Sequence, residues 1–207
     1  MRTRSSALAL ALLCAACPAS SMYRTADTVP PGRWQIAGGA GLGGFRDTQQ
    51  DTRLATGELE AVVRRGVADD VDVGVRLFVP GIEAQVGWRF ARGTWTWAVA
   101  PAIAIARTRD SALIPEALFV FARAPVIATR ALSPTWSLSL GPDLGWGFYQ
   151  PVTGGHAQGV WLGGFATAQW RFGERWWLAP ELRVEVSHEI PVTGGALHLG
   201  CGVGVDL

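Results

Sequence analysis

The stretch from Val160 to Ser187 constrains the fold most. Its two limbs, Val160–Phe172 and Trp176–Ser187, each alternate with period two, and Gly173-Glu174-Arg175 joins them. Leu162, Ala166, Ala168, Trp170 and Phe172 share one face, which continues into Leu178, Leu182, Val184 and Val186. Thr167, Gln169, Arg171, Glu181, Arg183 and Glu185 share the other. Successive side chains of a strand point to opposite sides, so this pattern predicts a two-faced hairpin rather than a helix. Hydrophobic residues make up 49% of the chain, yet no apolar run reaches the roughly 18 residues that a membrane-spanning helix needs. A membrane location would therefore run through strands, and long alternating strands with aromatic residues at the turn end suit a transmembrane hairpin.

The same alternation recurs along the chain. Strand one, Trp34–Phe45, is rich in glycine, which predicts close backbone approach or a bend. Strands two to five are read at Ala55–Arg65, Val71–Val79, Ile82–Phe90 and Trp95–Ile105. Strand six, Leu113–Ile127, has apolar residues on both faces and is interrupted by Pro115 and Pro125, which predicts a bulge. Strand seven is read at Trp136–Tyr149, and strand ten, after the opening hairpin, at Leu197–Leu207. About ten strands, with eight as the alternative, predict an all-β, antiparallel up-and-down transmembrane barrel with both termini on one side. Turns on the terminus side, at 66–70, 91–93 and 173–175, are short; 128–135 is longer. Opposite loops, at 46–54, 106–112, 150–159 and 188–196, are longer, with Pro80-Gly81 the short exception. Residues 151–155 and 191–195 are both Pro-Val-Thr-Gly-Gly, either a coincidence of turn-rich sequence or a duplicated hairpin.

Tryptophan marks one rim. Trp34, Trp88, Trp95, Trp97, Trp136, Trp170, Trp176 and Trp177 fall at strand ends on the terminus side, and only Trp146 and Trp161 fall near the other. Amphipathic rings settle at the headgroup level, so these eight form a candidate aromatic girdle. The face opposite the large apolar residues is rich in small ones, as in Ala98, Ala100, Ala102 and Ala104, and carries charges of both signs. Small residues suit a crowded lumen, and paired charges suit a space cut off from water. Arg171, Glu181, Arg183 and Glu185 make the candidate lumen charge cluster. The competing reading is a periplasmic, lipocalin-like lipoprotein barrel with the apolar face inside.

The first residues read as targeting rather than structure. Arg2 and Arg4 precede the apolar Ala7–Leu13, and Ala15 and Ala16 precede Cys17. This resembles a bacterial lipoprotein signal, which implies lipidation at Cys17; ordinary signal-peptidase cleavage, for example after Ala19, is the alternative. The segments are then 1–16 signal, 17–32 a polar, proline-bearing tether, and 33–207 barrel. With Cys14 removed and Cys17 acylated, Cys201 is left without a disulfide partner. From Trp34 to Leu207, in alternation, girdle and hydrophobic last residue, the chain resembles the small outer-membrane β-barrel proteins of Gram-negative bacteria. The resemblance implies outer-membrane lipid and the barrel-assembly machinery as partners. Members of that group usually end on an aromatic residue, where this chain has Leu207.

Little in the sequence points to chemistry. His156 and His188 fall in outer loops and His198 on the lumen face, and Ser187 and His188 are adjacent, so they face opposite ways. No metal-ligand spacing appears, and Gly38-Gly39-Ala40-Gly41 precedes no helix, so it is no phosphate loop. A net charge of +1 gives no reason to expect nucleic acid. The expectation is a structural or interaction protein of the outer membrane, exported by its signal, with a charged and largely filled lumen, no cofactor and no catalytic or metal site. A narrow passive pore for small solutes is the alternative, and an enzyme at the outer rim is a more distant one.

Overall fold

The computed structural model describes residues 22–49, 51–108, 116–190 and 192–207; the signal segment and Cys17 lie outside the described residues. Twelve strands form one sheet: β1 Trp34–Asp47, β2 Thr52–Ala68, β3 Val71–Phe78, β4 Gly81–Ala91, β5 Thr96–Val99, β6 Ala102–Thr108, β7 Ala117–Arg123, β8 Val126–Ala131, β9 Trp136–Pro151, β10 Ala157–Phe172, β11 Trp176–Ile190 and β12 Val192–Asp206. β5 with β6, and β7 with β8, are halves of two interrupted staves, so the wall has ten staves. Each stave pairs antiparallel with its sequence neighbour, and β1 pairs with β12 from Gln35↔Asp206 to Asp47↔Gly194. The sheet is therefore a closed barrel with no free edge.

The faces sort as the alternation predicts. Ile36, Leu59, Val75, Ile103, Leu144, Leu162, Val184 and Leu199 are exposed on the outside. Asp72, Asp143, Thr167, Arg183, Arg76 and Glu83 are buried on the inside, and the predicted small-residue wall includes the buried Ala98, Ala100 and Ala104. A water-soluble barrel with an apolar interior has the opposite arrangement, so the lipocalin-like reading is overturned.

Both interruptions are prolines, and neither shifts the register. Arg123 faces Gly145 before Pro125 and Ala128 faces Leu140 after it, so the same alignment continues. The predicted bulge in strand six is corrected: a proline in a ladder removes a donor without requiring an extra residue. Val86 N donates to Pro101 O, and Ala100 N donates to Pro125 O, each at 3.0 Å. The reciprocal donors are missing, so each seam of the fifth stave lacks one rung. Bulges occur instead at Gly66/Ala68, Arg89/Ala91 and Ser187/Ile190.

Far-side hairpins also reach further than expected. Much of 46–54 and 188–196 is ladder, as the pairs Arg46↔Arg53 and Arg46↔Gly195 show. The repeated pentapeptide takes two conformations. Residues 152–154 form a turn, with Gly154 and Gly155 at positive φ. Val192–Gly195 lies within β12, paired to β1.

A closed barrel with no free edge resists detergent. Unheated protein in detergent should migrate faster than boiled protein on a denaturing gel and show a β-rich circular-dichroism spectrum. Equal mobility with a helical or disordered spectrum would contradict the barrel.

Candidate functional site: the lumen

The inside of the barrel is filled in two ways. The first is a belt of ion pairs. Arg76 bonds Glu60 at 3.1 Å and Glu83 at 2.8 Å. Glu83 also holds Arg123 at 3.1 Å, and Asp143 pairs with both Arg123 and Arg183. Arg183 in turn holds Glu185, with its Nε donating at 2.7 Å. These groups are almost wholly buried, and an unpaired charge there would face a desolvation penalty of several kcal/mol. The belt is carried by β2, β3, β4, β7, β9 and β11 and leaves out β1 and β12.

The second filling is the chain itself. Residues 22–31, read from sequence as part of a tether, lie inside the barrel, with Met22, Tyr23, Arg24, Thr25, Ala26, Thr28 and Val29 all buried. The correction has a physical reason: Met22, Tyr23, Arg24, Ala26, Thr28 and Val29 each find a partner on the wall that water would otherwise supply. The backbone amides of Met22 and Tyr23 both donate to the Glu181 carboxylate at 2.9 Å. Thr167 Oγ1 donates to the same carboxylate at 2.7 Å. Two successive amides converging on one anion require a kinked backbone, and Tyr23 sits at φ 37°, in the left-handed region. Arg24 pairs with Asp72 at 3.3 Å and donates to Gln85 at 3.1 Å. Ala26 N donates to Thr129 Oγ1 at 2.7 Å, and Val29 N to Asp72 at 3.1 Å. The segment leaves at the terminus-side rim, where Pro31 bridges to Gly66 and Thr28 bonds Asp69 O.

At that rim Arg92 and Arg89 donate to Asp70 and hold its carboxyl below the usual carboxylate range. A depressed carboxyl contributes above its ordinary pKa and loses the contribution as pH falls, so this exposed clamp is complete at neutral pH. Arg89 also reaches Asp27 of the segment at 3.5 Å.

Glycines on β1 and β12 explain where the Tyr23 ring goes. A Cβ on Gly39, Gly200 or Gly202 would collide with it, and the Tyr23 hydroxyl donates to Ala40 O at 3.1 Å. The glycine-rich stretch read as a site of close approach is therefore the slot for this ring. Above it, a narrow crevice of about 10 Å³ is lined by Tyr23, Glu58, Glu181, Arg183 and His198. Nearer the far rim, Phe78, Phe119, Phe121 and Trp161 pack inward with Tyr149 against them.

The residues singled out from sequence divide as follows. Glu181, Arg183 and Glu185 line the lumen. Arg171 shares their face but sits opposite Trp177, near the rim, and pairs with Asp206 at 2.8 Å, so it is not part of that cluster. Trp34, Trp88, Trp97, Trp136, Trp170 and Trp176 are exposed on the outside. Trp95 lies in a turn, partly buried. Trp177 is 0% exposed and points into the lumen against Tyr23 and Ala179, which removes it from the girdle. Alternation would have separated it from Trp176, since neighbours on a strand cannot share a face. His188 is exposed, and the His198 Nε2 is buried without a hydrogen-bond partner among the described residues. The sequence signal for the segment is slight: a consecutive ring and cation, Tyr23 and Arg24, ahead of a glycine-rich strand.

A closed ten-stave antiparallel barrel with an apolar exterior and a polar, filled interior is an outer-membrane β-barrel fold. It is similar to an outer membrane channel of Pseudomonas putida F1, at TM-score 0.53 and 10% identity, over 93% of this chain and 100% of that one. It is also similar to Ail, the attachment invasion locus protein of Yersinia pestis, solved with the heparin analogue sucrose octasulfate (TM-score 0.47, 12% identity, 86% and 99% of the two chains). Neisserial surface protein A is a third (TM-score 0.45, 12% identity, 83% and 96%). At such identities the likeness is one of fold. No family model matches the chain, and no curated protein matches it in sequence.

Arg183 and Val184 test the two faces directly. Removing Arg183 strands Glu185 in the lumen and leaves Asp143 with Arg123 alone, at a cost on the order of 3–5 kcal/mol. Val184 is 52% exposed, and detergent or lipid fills the space its truncation leaves. Arg183→Ala should lower the urea unfolding midpoint in micelles far more than Val184→Ala; the reverse order would mean the faces are exchanged.

Proposed function

We propose that this protein is an outer-membrane barrel with a structural or interaction role, closed to solutes in its resting form, and not an enzyme. The observation that carries this reading is the double filling of the lumen, by a belt of buried ion pairs and by residues 22–31. Such filling gives the wall rigidity and leaves the far-side hairpins as the surface presented outward. The apolar exterior suits outer-membrane lipid, and the closed antiparallel wall suits insertion by the barrel-assembly machinery. Planar-bilayer recording tests it: intact protein should insert without steady conductance, and a stable open conductance would contradict the resting closure. The rim histidines carry no role in this reading, and esterase and protease activity should be unchanged in His156→Ala and His188→Ala.

The export signal and Cys17 lipidation belong to the same proposal. Its support is the Arg2/Arg4, Ala7–Leu13, Ala15-Ala16-Cys17 order. Cys17→Ser should abolish metabolic acyl labelling while the barrel still assembles; labelling that survives the change would rule lipidation there out.

A further inference from the structure

We infer that the lumen is a binding site for an extended peptide, that residues 22–31 are its resident ligand, and that release of this segment converts the closed barrel into a cation-preferring pore. The inference starts from the unevenness of the wall. The belt that runs from Glu60 on β2 round to Arg183 on β11 lines most of the wall with long charged side chains that hold one another in place without the segment. The remaining arc, β1 and β12, presents Gly39, Gly200 and Gly202 inward. Tyr23 occupies the gap beside these three. A stopper in a glycine-walled slot differs from a packed core, because the wall on that side keeps its ladder whether or not the ring is present.

The contacts are those of a peptide site. The segment is held through its own backbone amides at Met22, Tyr23, Ala26 and Val29, each on a wall side chain. Specificity comes from two side chains. Tyr23 fills the glycine slot, and Arg24 meets Asp72 and Gln85. The left-handed backbone of Tyr23 persists only while Glu181 gathers both amides, so the bound shape depends on the site. Within the segment only a short bridge at Pro31 joins it to the ladder.

Release has a definite electrostatic consequence. Asp72 loses Arg24, and Glu181 loses two of its donors. Asp72 on β3 and Glu181 on β11 then face the opened passage with fewer positive and donor partners, and rings or rows of carboxylates favour cations.

The test cuts the segment after the protein has folded. A specific protease site is inserted after the exposed Gly32, and gel mobility without heating confirms the barrel. Uncut protein should be silent in bilayers. After cutting and extraction of the freed segment, verified by mass spectrometry, a cation-preferring conductance should appear. A synthetic peptide of residues 22–31 should close it, and a Tyr23→Ala version should block roughly tenfold or more less tightly. A barrel that stays silent after the segment has left, or that both peptides close equally well, would overturn the inference. So would a segment that cannot be extracted even from a Glu181→Gln, Asp72→Asn barrel. Tyr23→Ala in the uncut chain needs no insertion; it should show intermittent openings, and continued silence would overturn the stopper role. Conductance by the intact chain would instead count against the closed resting form, so the two readings fail separately.

Discussion

Pairing of β1 with β12 is the constraint on which the rest depends. Strands this long, apolar on one side, would be open edges inviting association if left unpaired. Joining the first stave to the last satisfies the backbone groups at both edges at once and fixes inside and outside. Every later feature follows from that closure: the inward charges are confined to a narrow space, and the outward leucines and valines form one continuous belt. The closing strands are also the glycine-rich ones. Thirteen residue pairs join them, so the backbone carries the joint where Gly39, Gly200 and Gly202 offer no inward side chain.

That choice shapes the lumen. Confinement forces charges to pair, and the belt from Glu60 to Arg183 does so on six strands. Beside Gly39, Gly200 and Gly202 the gap is closed by Tyr23 of the segment. Glu181 joins the two solutions, since the same carboxylate accepts from the wall through Thr167 and from the segment through Met22 and Tyr23. Polar groups inside a barrel are costly unless satisfied, and the segment is as much a set of hydrogen-bond partners for the wall as the wall is for the segment.

Much of the wall was legible because strand alternation is a local property. Leu162 to Phe172 and Arg76 to Leu77 declare their faces in the sequence itself. What failed were features set by contacts distant in sequence. Residues 22–31 look like a linker because their partners, Asp72, Thr129 and Glu181, are 43 to 159 positions away. The two copies of Pro-Val-Thr-Gly-Gly read alike, yet one turns and the other runs as a strand because β1 lies beside it. Pro125 looked like a bulge because the missing donor is local, whereas the register that survives it is held by β9. Arg171 was grouped with Glu181 by face alone; its depth in the barrel, four residues nearer the turn than Thr167, decides its partner. Trp177 is different, since period two already assigned it inward and the attraction of a complete tryptophan girdle overrode that rule.

Closure itself is the claim to measure. Leu42 and Leu199 are cross-strand partners at the joint and are 74% and 60% exposed on the outside. Spin labels placed at these two positions, as cysteines in a Cys201→Ser background, would sit on adjacent strands about 5 Å apart at the backbone. Continuous-wave electron paramagnetic resonance in detergent micelles should then show strong dipolar broadening relative to either single label. Spectra that equal the sum of the two single-label spectra would mean that β1 and β12 are apart, and that the barrel is open.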